Sequence, residues 1–412
     1  MKILFPYLAR WRSANRSRYH QLLSHLCEFG HQVFVLTAPE MAVNDISAKD
    51  ILSCDANLPP GLAISELYAP QALRSFWKKR IPRTKLFKKG IISLTSIQQI
   101  RKFIARERID ILLVYNLPQA PLLHDAECDT HFDLADDLVA MMQVEHSVIA
   151  RCGGMLAAET VQRYMLNRAR TVTVASSVLK SQIKRPLMML PNGADVVELD
   201  AADGAVWRSR GLGPTVGFVG AFEYWVDFDL VLNVAGRLPQ VNFLLVGGGR
   251  KLKYVTDRIA QLGLRNVTLT GAVPYSQAMD YVAGMDVCML PFTHHAVSDG
   301  SCPLKLFEYA ALRKPIVSTL TREVQHIGRG WVAFADDEAD FAAAIECFLA
   351  DPNLAQQVGD AGRTLVEQLY NWPKLARQFE KMLINRTVPS FEAAAAHRSV
   401  LDALPSGCKP LQ

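Results

Sequence analysis

No C-x-x-C pair occurs among the eight cysteines, which are scattered at positions 27, 54, 128, 152, 288, 302, 347 and 408. A secreted disulfide framework and a structural zinc site are therefore not expected, and reduced thiols in a cytosol fit better. No H-E-x-x-H and no clustered His–Cys spacing appears, so zinc chemistry is not expected. The triplet "GGG" at 247–249 follows a strand pattern but lacks the G-x-G-x-x-G spacing of a dinucleotide fingerprint. No apolar run approaches the roughly 20 residues needed to cross a bilayer, so any membrane contact is expected at the surface. The opening "MKILFPYLARWRS" has too short an apolar run for a signal peptide and meets four arginines by Arg18. It reads as a first strand. The net charge of +5 over 412 residues is modest, and no nucleic-acid reader pattern accompanies it.

Half of the residues are hydrophobic, which suits a globular chain of two domains. The recurring unit is strand, glycine-containing turn, helix. In the first half, strands are expected at 2–5, 32–38, 109–115, 131–135, 171–176 and 186–191. Their continuous apolar character suits strands covered on both faces, as in a parallel sheet. The small, acidic run at 196–214 reads as a linker. A second series follows at 215–221, 241–249, 266–273, 286–292, 314–319 and 331–335. Two such series imply an α/β chain of two Rossmann-like, doubly wound domains facing across a cleft, with ligands beyond the carboxyl ends of the strands. The boundaries expected are 1–198 and 199–370, then an amphipathic helix over 371–388 bearing Leu375, Phe379, Met382 and Leu383, and a loose tail at 389–412.

The most informative stretch is "SDGSCPLKLFEYAALRKPIVS" at 298–318. Ser301 or Cys302 is placed to cap a helix whose first position is Pro303. A helix N-terminus presents partial positive charge and free amides, which suits a phosphate. Lys305 adds a point charge one turn in. Glu308, three residues on, shares its face and is placed to accept from two vicinal hydroxyls such as those of ribose. The composite is a diphosphate clamp with a ribose hook. The plain alternative is a surface Lys–Glu pair on an ordinary helix.

"SCPLKLFEYAALRKPIVST", with "LPNGAD" upstream and "VGFVGAFEYWVDFDLV" opening the second series, resembles GT-B glycosyltransferases of the family 4 type. The likeness is to a subgroup of teichuronic-acid and exopolysaccharide transferases with a "PxKxxEY" box. "NRSRYHQLLSHLCEFGHQVFVL", "HFDLADDL" and "RARTVTVASSVL" extend it through the first half. The resemblance implies a nucleotide-sugar donor held by the second domain, an acceptor facing the first, retention, and no bound metal or other cofactor. Lys305 would meet the diphosphate and Glu308 the ribose. Gly220, Asp299, Gly300, Ser301, Cys302 and Pro303 would frame the donor, with the Gly271–Val273 loop beside the base. Two departures stand out. The family's earlier Glu is replaced by Gly300, and "GAFEYW" lacks the usual Arg after its strand. Lys305 is then the clearest cation for the leaving diphosphate, with Arg250 as a helper.

Other charged residues carry two readings each. Asp133, Asp136 and Asp137 follow a strand; Asp136 or Asp137 either activates an acceptor hydroxyl or caps the helix from Leu138. Arg16 and Arg18 either meet a phosphate or an anionic acceptor, or are solvated helix charges. "DFD" at 227–229 imitates a metal motif, but Asp227 reads better as a helix cap. His294 and His295 either line the donor pocket or face solvent. The segment 74–108 holds twelve Lys or Arg against one acid, Glu107, with aromatic and aliphatic residues interleaved. It suits an anionic membrane surface; a solvated loop and an acidic-glycan site are the alternatives.

The expectation is a cytoplasmic, peripheral-membrane glycosyltransferase. It would move a sugar from a nucleoside diphosphate, UDP by preference, to a glycan or lipid-linked acceptor. A nucleotide-sugar epimerase of the same fold and a non-catalytic partner subunit are the alternatives.

Overall fold

A computed structural model of the chain describes residues 1–9, 11, 16–38, 58–70, 85–145, 149–211 and 213–386. It separates into two compact units. Of the described residues, one unit comprises those of Met1–Leu190 together with 376–386; the other comprises those of Pro191–Leu375. The tail expected at 389–412 lies outside the described residues, as do positions 74–84 of the basic segment.

The first unit is a seven-stranded sheet of β1 (Lys2–Tyr7), β2 (Gln32–Thr37), β3 (Leu62–Glu66), β4 (Ile111–Val114), β5 (Asp129–Leu134), β6 (Thr171–Val174) and β7 (Met188–Met189). Its order is β3-β2-β1-β4-β5-β6-β7, with every pairing parallel. The inner strands β4 and β6 are buried at every residue, the pattern of strands covered on both faces. The closing helix, Trp372–Asn385, is apolar along one side, and Leu375, Phe379, Met382 and Leu383 are all buried. From Ala376 on it packs with the first unit. Glu380 meets His31 Nε2 at 2.7 Å, Arg386 meets Asp129 at 2.7 Å, and Phe379 stands edge-on to His131.

The second unit carries β8 (Thr215–Val219), β9 (Asn242–Val246), β10 (Val267–Gly271), β11 (Val287–Leu290), β12 (Ile316–Ser318) and β13 (Val332–Phe334). The order is β10-β9-β8-β11-β12-β13, again parallel throughout. The chain steps outward from β8 to β10, then returns to β8's other side as β11. The space beyond the carboxyl ends of β8 and β11 is thus a topological switch point, where open α/β sheets take their ligands.

The run 196–214 is not a linker. Its Trp207 is buried and donates from Nε1 to Thr215 Oγ1 at 3.0 Å, while Asp200 grips Arg363 through both carboxylate oxygens at 2.7 and 2.9 Å. Small and acidic residues dominate its composition, yet these two contacts fold it into the second unit.

His131, on β5, has no exposed surface and bonds Thr171 Oγ1 through Nδ1 and Thr173 Oγ1 through Nε2, each at 2.9 Å. Burial pushes its pKa down to about 4, so it folds neutral. The unfolded chain takes up this proton near pH 6.5 and the folded one near 4, so stability is lost as pH falls through that window. The expected contribution is about 3 kcal/mol lost between pH 6.5 and 4, from 1.36 kcal/mol per pKa unit. Urea unfolding across that range checks it: His131→Gln should show a flatter stability profile than the parent, and an unchanged slope would refute the assignment.

Candidate functional site

The glycines that close the strands of the second unit are required by close approach. Gly220 follows β8, and a Cβ there would overlap Cε of Lys305. Gly247 follows β9 at φ 136°, and a Cβ on it would overlap the carbonyl oxygen of Gly220. The two turns therefore lie against each other, and the aliphatic stem of Lys305 lies directly over Gly220 beside the switch point.

Lys305 sits on the box helix, Leu304–Ala311. That helix begins at Pro303 with no side-chain cap, so neither Ser301 nor Cys302 caps it. Leu306 N donates to Pro303 O at 3.2 Å, while the first two amides, of Leu304 and Lys305, keep their capacity for an external acceptor. Cys302 is buried, and the loop is fixed instead by its backbone. Asn192, of the "PNGAD" stretch, donates from Nδ2 to Cys302 O at 2.5 Å and from its backbone N–H to Cys302 Sγ at 3.4 Å.

Two further fastenings hold the helix. Val219, the last residue of β8, donates its N–H to Tyr309 Oη at 2.8 Å, and Tyr309 is wholly buried. Burial pushes the Tyr309 phenol well above its usual pKa, so it stays protonated. At the far end Arg363 donates to Ala311 O at 2.6 Å while held by Asp200 and by Glu367 at 2.5 Å. Arg363 comes from the Pro352–Leu369 helix, which approaches closely because a Cβ at Gly359 would overlap Arg313 O and one at Gly362 would crowd Trp331. Asn192, Tyr309 and Arg363 were not singled out as functional in the sequence. Only the quoted motifs around the first two hinted at them.

Glu308, one turn after Lys305, is buried at 6 % exposure, whereas Lys305 is half-buried. A plain surface Lys–Glu pair is excluded by that burial. The helix is apolar on more sides than one stripe, since Leu306, Phe307, Tyr309, Ala310 and Ala311 are all buried. Asp299 faces elsewhere: its carboxylate accepts from Arg322 N at 3.1 Å and stands 3.7 Å from the Arg322 guanidinium. Gly300 is buried, Ser301 and Val273 are half-buried, and Val273 follows β10 at the sheet's edge, two strands from β8. Arg250, after β9, pairs with Glu223 at 2.9 Å and lies 5.8 Å from the Tyr224 ring. Asp227 accepts from Leu230 N at 2.9 Å as a helix cap. His294 is exposed and pairs with Asp336 at 2.9 Å.

In the first unit the charged candidates separate. Arg18 is 4 % exposed and turned inward. It donates to Asp133 Oδ1 and Leu190 O, both at 3.1 Å, and Thr173 Oγ1 donates to the same Asp133 oxygen at 2.6 Å. Its charge is spent inside the unit, and the reading of Arg18 as a solvated helix charge fails. Arg16 is half-buried at the start of that helix. Asp137 accepts from Ala140 N at 2.9 Å, so it caps the Leu138–Glu145 helix. Asp136 is exposed. Of the basic segment, helices Lys85–Thr95 and Ile97–Glu107 are described; Phe87 is 63 % and Leu94 58 % exposed, whereas Lys88 is buried.

Three comparisons bear on this arrangement. Residues 213–351 match the family described as "Glycosyl transferases group 1". The chain is 26 % identical over 235 residues to a putative teichuronic acid biosynthesis glycosyltransferase of Bacillus subtilis (strain 168), covering 53 % of this chain and 57 % of that protein. It thus spans little more than half the length of that curated relative. Among solved structures, sucrose-phosphate synthase from Thermosynechococcus elongatus is 19 % identical with a TM-score of 0.73, covering 93 % of this chain and 98 % of that one. Anabaena HepE in complex with UDP-glucose is 15 % identical with a TM-score of 0.68, covering 93 % and 100 %. WaaG, a glycosyltransferase involved in lipopolysaccharide biosynthesis, is 14 % identical with a TM-score of 0.63, covering 92 % and 99 %. Together with the two parallel-sheet α/β units, these likenesses establish the GT-B fold.

The Tyr309 fastening predicts a specific cost. Tyr309→Phe leaves the buried Val219 N–H without its acceptor and should destabilise the second unit by about 1–3 kcal/mol. Chemical denaturation followed by tryptophan fluorescence measures it; a loss under 0.5 kcal/mol, about the low end for any hydrogen bond, would show the contact is incidental.

Proposed function

We propose that this chain, whose 213–351 segment matches the group 1 glycosyl transferases, transfers a sugar from a nucleoside diphosphate donor to a glycan or lipid-linked acceptor in polysaccharide assembly. UDP is the preferred nucleotide. One observation carries the reading: the stem of Lys305 lies over Gly220 beside the β8–β11 switch point, with a buried carboxylate one turn further along the same uncapped helix. The Bacillus relative, a putative teichuronic acid biosynthesis glycosyltransferase, supports the pathway class. The HepE complex with UDP-glucose supports the donor class.

In this reading the Lys305 ammonium and the amides of the box helix receive the diphosphate, and Glu308 accepts from the ribose hydroxyls. As the bond from the anomeric carbon to the β-phosphate oxygen breaks, its electron pair stays with that oxygen. The acceptor hydroxyl forms the new bond and gives up its proton. Lys305 and the helix end stabilise the charge that develops on the leaving diphosphate, a contribution that positioned donors supply without reorganising. Asp136, which follows β5 and is exposed, is offered for the acceptor's proton; Asp137 is committed to its cap. Retention and transfer without a resident metal complete the proposal. The anomeric proton of the product by NMR and an assay in EDTA test those two points.

Variants separate the roles. Lys305→Ala should lower turnover of a nucleotide-sugar about 100-fold with the fold intact, in the range of one lost transition-state donor. Glu308→Ala should chiefly weaken UDP, by about tenfold or more, since hydrogen bonds to a charged acceptor contribute about 1.5–3 kcal/mol. Slow hydrolysis of UDP-sugars and UDP calorimetry measure the two. If both variants bind and turn over like the parent, the donor site lies elsewhere.

A cytoplasmic, peripheral position on an anionic membrane completes the proposal. The exposed Phe87 and Leu94 on the Lys85–Thr95 helix support it, with Lys89 beside them; the cations at 78–83 lie outside the described residues, and Lys88 is too buried to take part. No helix among the described residues is long and apolar enough to cross a membrane. Flotation with phosphatidylserine liposomes should fall steeply as salt rises and should drop for Phe87→Ser/Leu94→Ser. Flotation equal to that with neutral liposomes would refute surface attachment.

A further inference from the structure

The loops that follow β8 and β11 are joined to each other beside the switch point. Thr293 N donates to Trp225 O at 2.9 Å, Asp227 N donates to Pro291 O at 2.7 Å, and Val226 bridges Phe292. Within this paired turn His295 is fixed by the Ser298 backbone N–H, which donates to its Nδ1 at 3.2 Å and so caps the Ala296–Gly300 helix. A ring nitrogen that accepts carries no proton, so in the neutral ring the proton sits on Nε2. Burial lowers the imidazole's pKa and so favours the neutral ring, opposed in part by a backbone hydrogen bond and by the Asp299 charge. The Nε2 atom is out of solvent and has no hydrogen-bond partner among the described residues. A buried N–H without an acceptor is a costly exception in a folded protein and calls for a partner.

The surroundings say what kind of partner. The Tyr224 ring lies 5.9 Å from the His295 ring and is stacked edge-on with Trp225 at 4.8 Å. The nearest cation over Tyr224, Arg250, is matched by Glu223. A neutral N–H donor beside aromatic faces, with the adjacent charges balanced, suits an uncharged, hydroxylated ring better than a phosphate. Lys305, over Gly220, already offers the net positive charge that a diphosphate requires.

We infer that His295 donates from Nε2 to a hydroxyl oxygen of the sugar being transferred, and that the Tyr224–His295 turn is the part of the donor site that reads the sugar. This rests on the nucleotide-sugar reading above and deepens it. It also gives the site a contact to the sugar half where the resemblance's usual Glu is replaced by Gly300.

The test keeps the cap while removing the donor. In His295→Asn the side-chain oxygen can still accept from Ser298 N, asparagine being a strong N-cap, but no N–H reaches the position of Nε2. The probe is whichever of UDP-glucose, UDP-galactose, UDP-N-acetylglucosamine and UDP-glucuronate the parent hydrolyses fastest, with UDP alone as the reference ligand. His295→Asn should weaken the probe about three- to tenfold, the value of one lost neutral hydrogen bond, and leave UDP affinity and thermal stability unchanged. Equal affinity of parent and variant for the probe overturns this inference and leaves the donor reading standing. An equal loss for UDP and the probe also overturns it, because His295 would then serve the nucleotide or the fold. If the parent binds no UDP at all, the donor reading itself fails, and this inference with it.

Discussion

The hydrogen bond between Val219 N–H and Tyr309 Oη ties the end of a central strand to the middle of the box helix, inside a dry interior. The rest of the second unit's site depends on it. Val219 is followed at once by Gly220, so fixing Val219 fixes the turn over which Lys305 must pass. The helix is also held at its entry through Asn192 and at its exit through Arg363. Three points define a rigid placement, and each uses a polar group whose loss would leave a buried partner unsatisfied. The glycines at 220, 359 and 362 act in the opposite sense, removing atoms so that the fastened parts can approach. Preorganisation of this kind is what a site for charge stabilisation needs, because donors that are already aimed require no rearrangement as charge develops.

The first unit spends its charges differently. Arg18 and Asp133 form a buried pair with Thr173 and Leu190 O completing its hydrogen bonds. Such a pair is weak evidence for net stability, because removing both charges from water offsets much of their attraction. Its effect is one of position: the guanidinium links the first helix to β5 and to Leu190 after β7, and the Asp133 carboxylate adds β6 through Thr173. Breaking one partner alone would leave the other charge stranded, which makes the pair intolerant of single substitutions.

What could be read from the sequence followed the strength of local pattern. β8, β9, β11 and β12 are each continuous apolar runs, and both faces of each are covered, so their positions were legible to within a few residues. β3 was missed because "LAISE" is an edge strand with only its first residue buried, so it carries almost no hydrophobic signal. The 196–214 run was misread because its small acidic composition hides two structural residues, Asp200 and Trp207, whose partners lie far along the chain or in the next strand. Arg18 was misjudged for the same reason: its partner stands 115 residues away, and nothing near Arg18 announces it. The Lys305–Glu308 pair was legible because both residues and the helix that holds them fall within one short stretch. Asn192 and Arg363, which position that helix from 110 and 52 residues away, were not.

The placement of charge around the switch point bears on how the site manages with fewer ionic groups than the resemblance led one to expect. Arg250 lies after β9 rather than after β8, and Glu223 balances it, so the pair adds little net field. Lys305 is half-buried over a glycine, with no partner for its ammonium among the described residues, so it is less screened than an exposed lysine. A single cation in such a position can exert more field on a neighbouring anion than two that are exposed or already paired. No arginine follows β8, so the cation set against that turn is Lys305. In the proposed reading the diphosphate falls to Lys305 and to the fastenings that keep its stem against Gly220, while the charges near His295, Arg250 with Glu223 and Asp299 with Arg322, are paired with each other.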